Sequence, residues 1–353
     1  MLPRLEKIRS RLKEENLDGL LLSLPANIAY LTGYPGRDSY LLVSRLGNIY
    51  FTDSRYTHEA KEALKKSAEV KDSSGKTFRV IADGIAEAGL KRVGFESRYL
   101  PFAEYKRIRL DLKKRALLLP THSLVEELRQ IKDADEIKKI RQAVCICADT
   151  LDFAHTFLAS GKKEVEVVAE MERFIRYRGA NNSSFDIIVA AGPHSAYPHH
   201  ISGARMIRRT EPVLIDAGAE FSGYKSDLTR VYSLSKITGL VRRIYDIVRE
   251  AQLKAIERIR PGALISEVDR AARGYIARKG YAANFKHNLG HGLGLEVHEL
   301  PNISPKNETE LTEGMVITIE PGIYLPGKFG IRIEDMVLVT NKGCEVLSGA
   351  VNK

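Results

Sequence analysis

Four carboxylates stand in runs of apolar residues, where a carboxylate is costly. Asp216 ends Val213-Leu214-Ile215-Asp216-Ala217, and Asp227 opens Asp227-Leu228-Thr229-Arg230-Val231. Glu320 closes Val316-Ile317-Thr318-Ile319-Glu320, and Glu334 follows Ile331-Arg332-Ile333. A buried carboxylate must be paired, protonated or bound to a cation. One such acid alone is ordinarily a hydrogen-bonded strand end. Four on two strand pairs, facing one cavity, would repel each other and drive some to the neutral form. Two divalent ions cancel four negative charges, and hard oxygen donors suit Mn, Co, Fe or Zn.

Histidine gives the second signal. Of nine in the chain, five fall in Pro198-His199-His200 and in the stretch from His287 through His291 to His298. His287 and His291 have the spacing of a helical metal pair, but Gly290, Gly292 and Gly294 disfavour a helix. The pattern predicts a glycine-rich loop that brings its backbone close to a metal or substrate. A lone histidine is ordinarily structural; this density, in a chain carrying the four acids, points to a site.

Other chemistries fail on spacing. Gly75-Lys76-Thr77 has Val70 where a phosphate loop needs glycine. Gly290-x-Gly292 has Leu295 in place of the third glycine of a dinucleotide fingerprint. His298-Glu299 runs into Leu300-Pro301-Asn302, so no HExxH helix exists, and no G-x-S-x-G elbow occurs.

The chain that must position these residues has 353 of them, 44 % hydrophobic, enough for two or three domains with sizeable cores. No run reaches the ~18 apolar residues of a membrane span. The N-terminus spaces Leu2, Leu5, Ile8 and Leu12 helically between charges and has no apolar signal region. Three cysteines cannot form a disulfide framework, and Cys145 and Cys147, on different faces of a helical pattern, read as small buried thiols, so a reducing cytoplasm is expected. The net charge of +10 is densest between Lys106 and Arg115, where Leu110 and Leu112 interleave with it. That pattern reads as a solvated helix face, and with no tryptophan in the chain nucleic acid is an unlikely partner.

The first part alternates helices and strands. A strand from Gly19 is followed by a hairpin of Ser39–Val43 and Asn48–Phe51, a helix over Tyr56–Ala68, a short strand at Lys71 or Val80, and a strand at Arg92–Phe95. This is a small α/β domain over 1–122. The charged segment Val125–Cys147 leads into an α+β domain over 123–353. There, helices at Ile137–Leu158 and Glu164–Arg178 precede a strand near Asp186–Ala190 and a hairpin of Val213–Ala217 with Lys225–Ser233. Helices at Thr238–Arg260 and Ser266–Lys279 precede a second hairpin, Val316–Tyr324 with Gly330–Thr340. Two rounds of helices followed by an acid-bearing hairpin hint at internal duplication.

The order Asp216, Asp227, His291, Glu320, Glu334 resembles the five-ligand set of the pita-bread di-metal peptidases. The stretches IDAGAEFSGYKSDLTRVY, HNLGHGLGLEVHELP and EGMVITIEPGIYLPGKFGIRIEDMVLVT are similar to the Xaa-Pro branch, prolidase and aminopeptidase P. The connector EELRQIKDADEIKKIRQA and the domain before it extend the likeness over nearly the whole chain.

The resemblance implies a creatinase/aminopeptidase-like C-terminal domain behind a smaller α/β domain, a homodimer, and a proline-containing di- or oligopeptide substrate. It implies two divalent ions, Mn or Co before Zn or Fe. Asp216 would hold one ion and His291 the other, with Glu320 on the side of His291 and with Asp227 and Glu334 bridging. Hydroxide shared by the two ions would attack the Xaa-Pro carbonyl. Glu320 would carry the proton to the proline nitrogen, and His298 and His199 would stabilise the oxyanion and leaving group. His199 and His287 match substrate-side positions, and Arg332 would brace a carboxylate or touch substrate.

The chain departs from the pattern at Asn302, where some prolidases carry a basic residue for the dipeptide carboxylate. Lys306 stands nearby, and dipeptidase and aminopeptidase action both stay open. The reading from another class is a non-catalytic pita-bread binding module with a basic surface, which the complete ligand set disfavours. A methionine aminopeptidase is disfavoured by the extra N-terminal domain, and a metal-free creatinase-like hydrolase by the filled ligand positions.

Overall fold

The computed structural model describes residues 2–236 and 239–349. The chain divides into two compact units, one ending at Arg129 and the other beginning at Gln130.

The N-terminal unit is built on one mixed six-stranded sheet. Its strand order is Glu69–Asp72, Asn48–Thr52, Tyr40–Ser44, Gly19–Leu22, Arg92–Glu96, Leu117–Thr121. The expected hairpin pairs Tyr40 with Phe51, and Gly19–Leu22, buried along its length, pairs parallel with Arg92–Glu96. Of the two places expected for the short strand, only that at Lys71 is a strand. Val80 lies in the helix Thr77–Glu87, whose Ile81, Ala82 and Ile85 recur at helical spacing and are buried. The helix expected over Tyr56–Ala68 is shorter, Thr57–Ala63. Leu110, in the basic helix Phe102–Leu112, is exposed, and Ile108 and Leu112 make its buried side.

The second unit carries two helix pairs. The helix Ala134–Phe157 starts at a capping box, in which the Asp133 carboxylate accepts from the Glu136 backbone N–H and Glu136 reaches back to that of Asp133. With Glu164–Tyr177 it packs Ile140, Cys147, Leu151, Val167, Met171 and Ile175 into one core. Gly239–Ile256 and Ile265–Arg278 pack Ile244, Val248, Ala251, Val268, Ala272 and Ile276 into the other. Thr238, expected to open the third helix, lies outside the described residues. All three cysteines are free, and Cys147 is buried as expected. Cys145, two positions away on the helix and so on another face, is exposed.

Between the pairs lie the strands that carry the acids. Leu228–Ser233, Pro212–Ala217 and Ile188–Ala191 form one antiparallel sheet, with Thr229 opposite Asp216. Glu299–Ile303, Gly290–Gly292, Val316–Ile319, Asp335–Thr340 and Gly343–Val346 form a second. The segment from Gly290 to Gly292, expected as loop, is thus a short strand, with a bulge between His291 and Gly292. The second hairpin splits in two. Val316–Ile319 pairs with Asp335–Thr340 in the five-stranded sheet, while Gly322–Leu325 pairs with Phe329–Arg332 in a separate ribbon. The break falls at Glu320-Pro321 on one strand and Ile333-Glu334 on the other, because Pro321 has no N–H to give a ladder.

Two buried groups hold this break in place. The Gln252 side-chain amide donates to the carbonyls of Ile319 and Ile333, at 2.9 and 3.1 Å, each one residue before a carboxylate. Arg230, fully buried, pairs with Asp335 at 2.8 Å and donates to the Glu334 carbonyl at 2.5 Å. Stranding buried carbonyls costs roughly 1–3 kcal/mol. Gln252→Leu is therefore expected to lower the urea midpoint by about that stability with an unchanged slope, which equilibrium unfolding followed by circular dichroism checks.

Candidate active site

All nine residues singled out from the sequence line one cavity of about 670 Å³ in the second unit. Asp216 comes from the end of its strand, and Asp227 from the residue before Leu228–Ser233. Glu320 and Glu334 come from the two sides of the broken hairpin, and His291 from the short strand. That strand lies too close to its neighbours for side chains beside the histidine. A Cβ on Gly290 would stand 2.0 Å from the Thr318 carbonyl oxygen, and one on Gly292 2.2 Å from that of Leu300.

The acids keep few compensating partners. Arg332, buried, donates to Asp216 Oδ2 at 2.5 Å, to Thr229 Oγ1 at 3.1 Å and to the Tyr324 hydroxyl at 2.9 Å. Thr229 in turn donates to Glu334 at 2.8 Å, and Thr318 to Glu320 at 3.3 Å. Oδ1 of Asp216, buried, has no hydrogen-bond partner among the described residues. Burial, then the neighbouring carboxylates, hold Asp227 and Glu334 far above the usual carboxylate range. Burial pushes Glu320 up to about 8 against the opposing Arg332 cation, and nearby Asp216 adds to the rise.

His291 is lowered to about 4, first by burial and then by His298, whose ring lies edge-on at 4.3 Å. Nδ1 of His291 faces the Gly292 carbonyl at 3.0 Å and must carry the proton, since a carbonyl only accepts. Nε2 therefore aims a lone pair at Glu320 Oε1 and Asp227 Oδ2, 3.4 and 3.7 Å away. A lone pair against an ionised carboxylate is repulsive, so either the raised carboxyls carry protons there or a cation lies between. Donor atoms of Asp227, His291 and Glu334 all lie within 4.8 Å of one another. This donor set, oxygen-rich with one imidazole and an unpartnered carboxylate oxygen beside it, fits divalent cations.

The remaining histidines sit around this cluster. By the same reasoning His287 donates from Nδ1 to the Asn288 carbonyl at 2.7 Å, so its Nε2 accepts from the Tyr324 hydroxyl at 3.0 Å. Burial lowers His287 to about 4, and partial desolvation also lowers His298, whose side chain is exposed to the cavity. Asn302 lines the cavity, whereas Lys306 is exposed and does not. Sequence reasoning missed Thr229 and Thr318, each two residues along a strand from an acid and so on its face. It also missed Tyr324, for which sequence carries no signal.

The chain is similar to known proteins over nearly its whole length. Residues 138–341 match the model of metallopeptidase family M24, and residues 4–131 that of the creatinase/prolidase N-terminal domain. A Xaa-Pro dipeptidase of Pyrococcus horikoshii is 36% identical over 350 residues, 98% of this chain and 96% of that protein. A solved Xaa-Pro dipeptidase from Bacillus anthracis superposes with a TM-score of 0.95 at 36% identity, covering 100% of this chain and 98% of that one. An X-Pro aminopeptidase from Thermotoga maritima superposes with a TM-score of 0.90 at 35% identity, covering 98% and 97%. The chain belongs to metallopeptidase family M24, and its second unit has the pita-bread fold. It is a hydrolase of a family that works with divalent metal ions. No helix among the described residues is long and apolar enough to cross a membrane.

The raised carboxyls give the cation-free protein a signed pH response. A carboxyl whose folded value lies above its ordinary one favours folding while protonated, and that contribution is lost as pH rises through the folded value. Above about pH 7 His287 and His291 are neutral folded or unfolded, so the acids set the sign. Chelator-treated protein is expected to melt at lower temperature as pH rises from about 7 to 8.5, by roughly 3 °C for each kcal/mol lost. Saturating Mn²⁺ flattens that slope. Calorimetry with and without chelator checks both.

Proposed function

We propose that the chain hydrolyses the peptide bond between an N-terminal residue and proline, with Asp216, Asp227, His291, Glu320 and Glu334 holding two divalent cations, Mn²⁺ or Co²⁺ foremost. The observation that carries this reading is the His291 lone pair aimed into buried, mutually repelling acids, within a chain so similar to Xaa-Pro peptidases. When bound, the cations supply a water acidified toward neutral pH and a polarised scissile carbonyl.

The chain's own side chains do the rest. Glu320, which lines the cavity, can take a proton from the attacking water and return it to the proline nitrogen as the bond breaks. His298 and His199 face the same cavity and can donate to the developing oxyanion and the leaving group. Arg332 is committed to Asp216, Thr229 and Tyr324, so its role is to fix the orientation of Asp216. Phe185 and Ile188 give the cavity an apolar wall on which a proline ring, lacking an N–H, can sit without stranding a donor.

Peptide length then depends on what meets the chain end beyond proline. Asn302 offers no positive charge there, and both a dipeptidase and an aminopeptidase are among the similar proteins. The test uses protein stripped with chelator, reloaded with Mn²⁺ or Co²⁺, and offered Ala-Pro and Ala-Pro-Ala. Cation-dependent release of alanine from either supports the reading, and their ratio assigns the preferred length. Two bound cations with neither peptide cleaved would overturn it. Asn302→Arg is expected to raise the dipeptide-to-tripeptide ratio of kcat/KM about tenfold, equivalent to roughly 1.4 kcal/mol of selectivity.

A further inference from the structure

Outside the acid cluster, one more carboxylate is fully buried among histidines. Glu164 opens the helix Glu164–Tyr177 and has no exposed surface. His194, from the 3-10 turn Gly192–Ala196, places Nδ1 at 3.0 and 3.1 Å from its two oxygens. His200 places Nε2 at 2.9 Å from Oε2. The backbone N–H groups of Ala191 and Gly203 donate to the same carboxylate at 2.9 and 3.3 Å. The two imidazole rings face each other at 4.3 Å. Nothing in the peptidase chemistry above uses Glu164 or His194.

A hydrogen-bonded anchor for a loop needs one donor from the loop, and here two backbone donors already supply that. The pair of imidazoles is in excess of it. Each neutral imidazole can move its proton to the far ring nitrogen, which turns the near nitrogen from donor to ligand without changing its charge. The ligand atoms of Glu164, His194 and His200 then converge, all within 4.8 Å of one another. Ligand atoms around a tetrahedral zinc stand roughly 3.4 Å apart, so the rings need to retreat by only a fraction of an ångström. The His194 side chain is about one-third exposed, at 34%, which leaves a route for a cation and a position for water. The N–H groups of Ala191 and Gly203 would orient the carboxylate, as outer partners do in metal sites.

We propose that Glu164, His194 and His200 bind a further divalent transition-metal ion of the zinc or cobalt class. Two imidazoles and one carboxylate select such ions over Mg²⁺ and Ca²⁺, which want more oxygen. The site is separate from the acid cluster but not remote from the cavity, since His200 lines it beside His199. An ion held here clamps the segment that presents His199.

The test counts ions. The full chain, stripped with chelator, is titrated with Co²⁺ and then Zn²⁺, and bound metal per chain is measured after dialysis. The same is done for His194→Gln and for His194→Gln/His200→Gln, in which the amides can still donate to Glu164. Melting in chelator establishes that each variant folds. Wild type is expected to hold one ion more per chain than either variant, with an imidazole-type Co²⁺ absorption band lost with that ion. Equal metal content in all three proteins, or an extra ion that survives both substitutions, would overturn the proposal. Because the readout is a difference, it stands or falls whatever number of ions the acid cluster takes and whether or not Ala-Pro is cleaved.

Discussion

Like charges a few ångströms apart in a low-dielectric interior repel more strongly than a neighbouring hydroxyl can offset. Asp216, Asp227, Glu320 and Glu334 impose that cost on the second unit, and its construction answers it. One guanidinium, Arg332, is spent on Asp216, and two threonine hydroxyls serve Glu334 and Glu320. The rest of the repulsion is left standing, as the raised carboxyls of Asp227, Glu334 and Glu320 record. A fold that retains such tension has a use for cations. The second unit is held together by its two helix-backed cores, and a divalent cation between the strands would relieve what the guanidinium and hydroxyls leave.

The strand layout follows from the same requirement. A continuous hairpin would alternate Glu320 and Glu334 with their neighbours across one regular ladder. Breaking it at Pro321 lets each strand serve two sheets and turns both acids toward the cavity. The break is affordable because Gln252 takes the carbonyls on either side and Arg230 bridges from the other sheet to Glu334 and Asp335. Polar groups are thus buried in the core for a reason that local propensity does not contain.

This explains what could be read in advance. Asp216, Asp227, Glu320 and Glu334 were legible because a charge inside a strand-forming apolar run violates a local rule, and the glycines around His291 because they violate another. The long amphipathic helices were legible by period, as was the small domain with its hairpin. The splitting of the second hairpin was not, since residues 316–324 read as one run. Tyr324 was invisible because its hydroxyl finds Arg332 and His287 only through tertiary folding. Glu164 reads as an ordinary first-turn acid of a helix, and its histidines lie 30 and 36 residues away. Val80 was misplaced as an alternative strand because a short apolar stretch does not declare its period.

The close packing around His291 has a consequence for variation. The two positions flanking that histidine have no room for even a methyl group, because backbone oxygens of neighbouring strands occupy the space. In a saturation library, Gly290 and Gly292 would be as intolerant as His291, although neither has a side chain with which to act. A map of mutational tolerance would draw the site three residues wide at this strand, where the chemistry is one residue wide. Intolerance there measures how tightly the scaffold grips its imidazole.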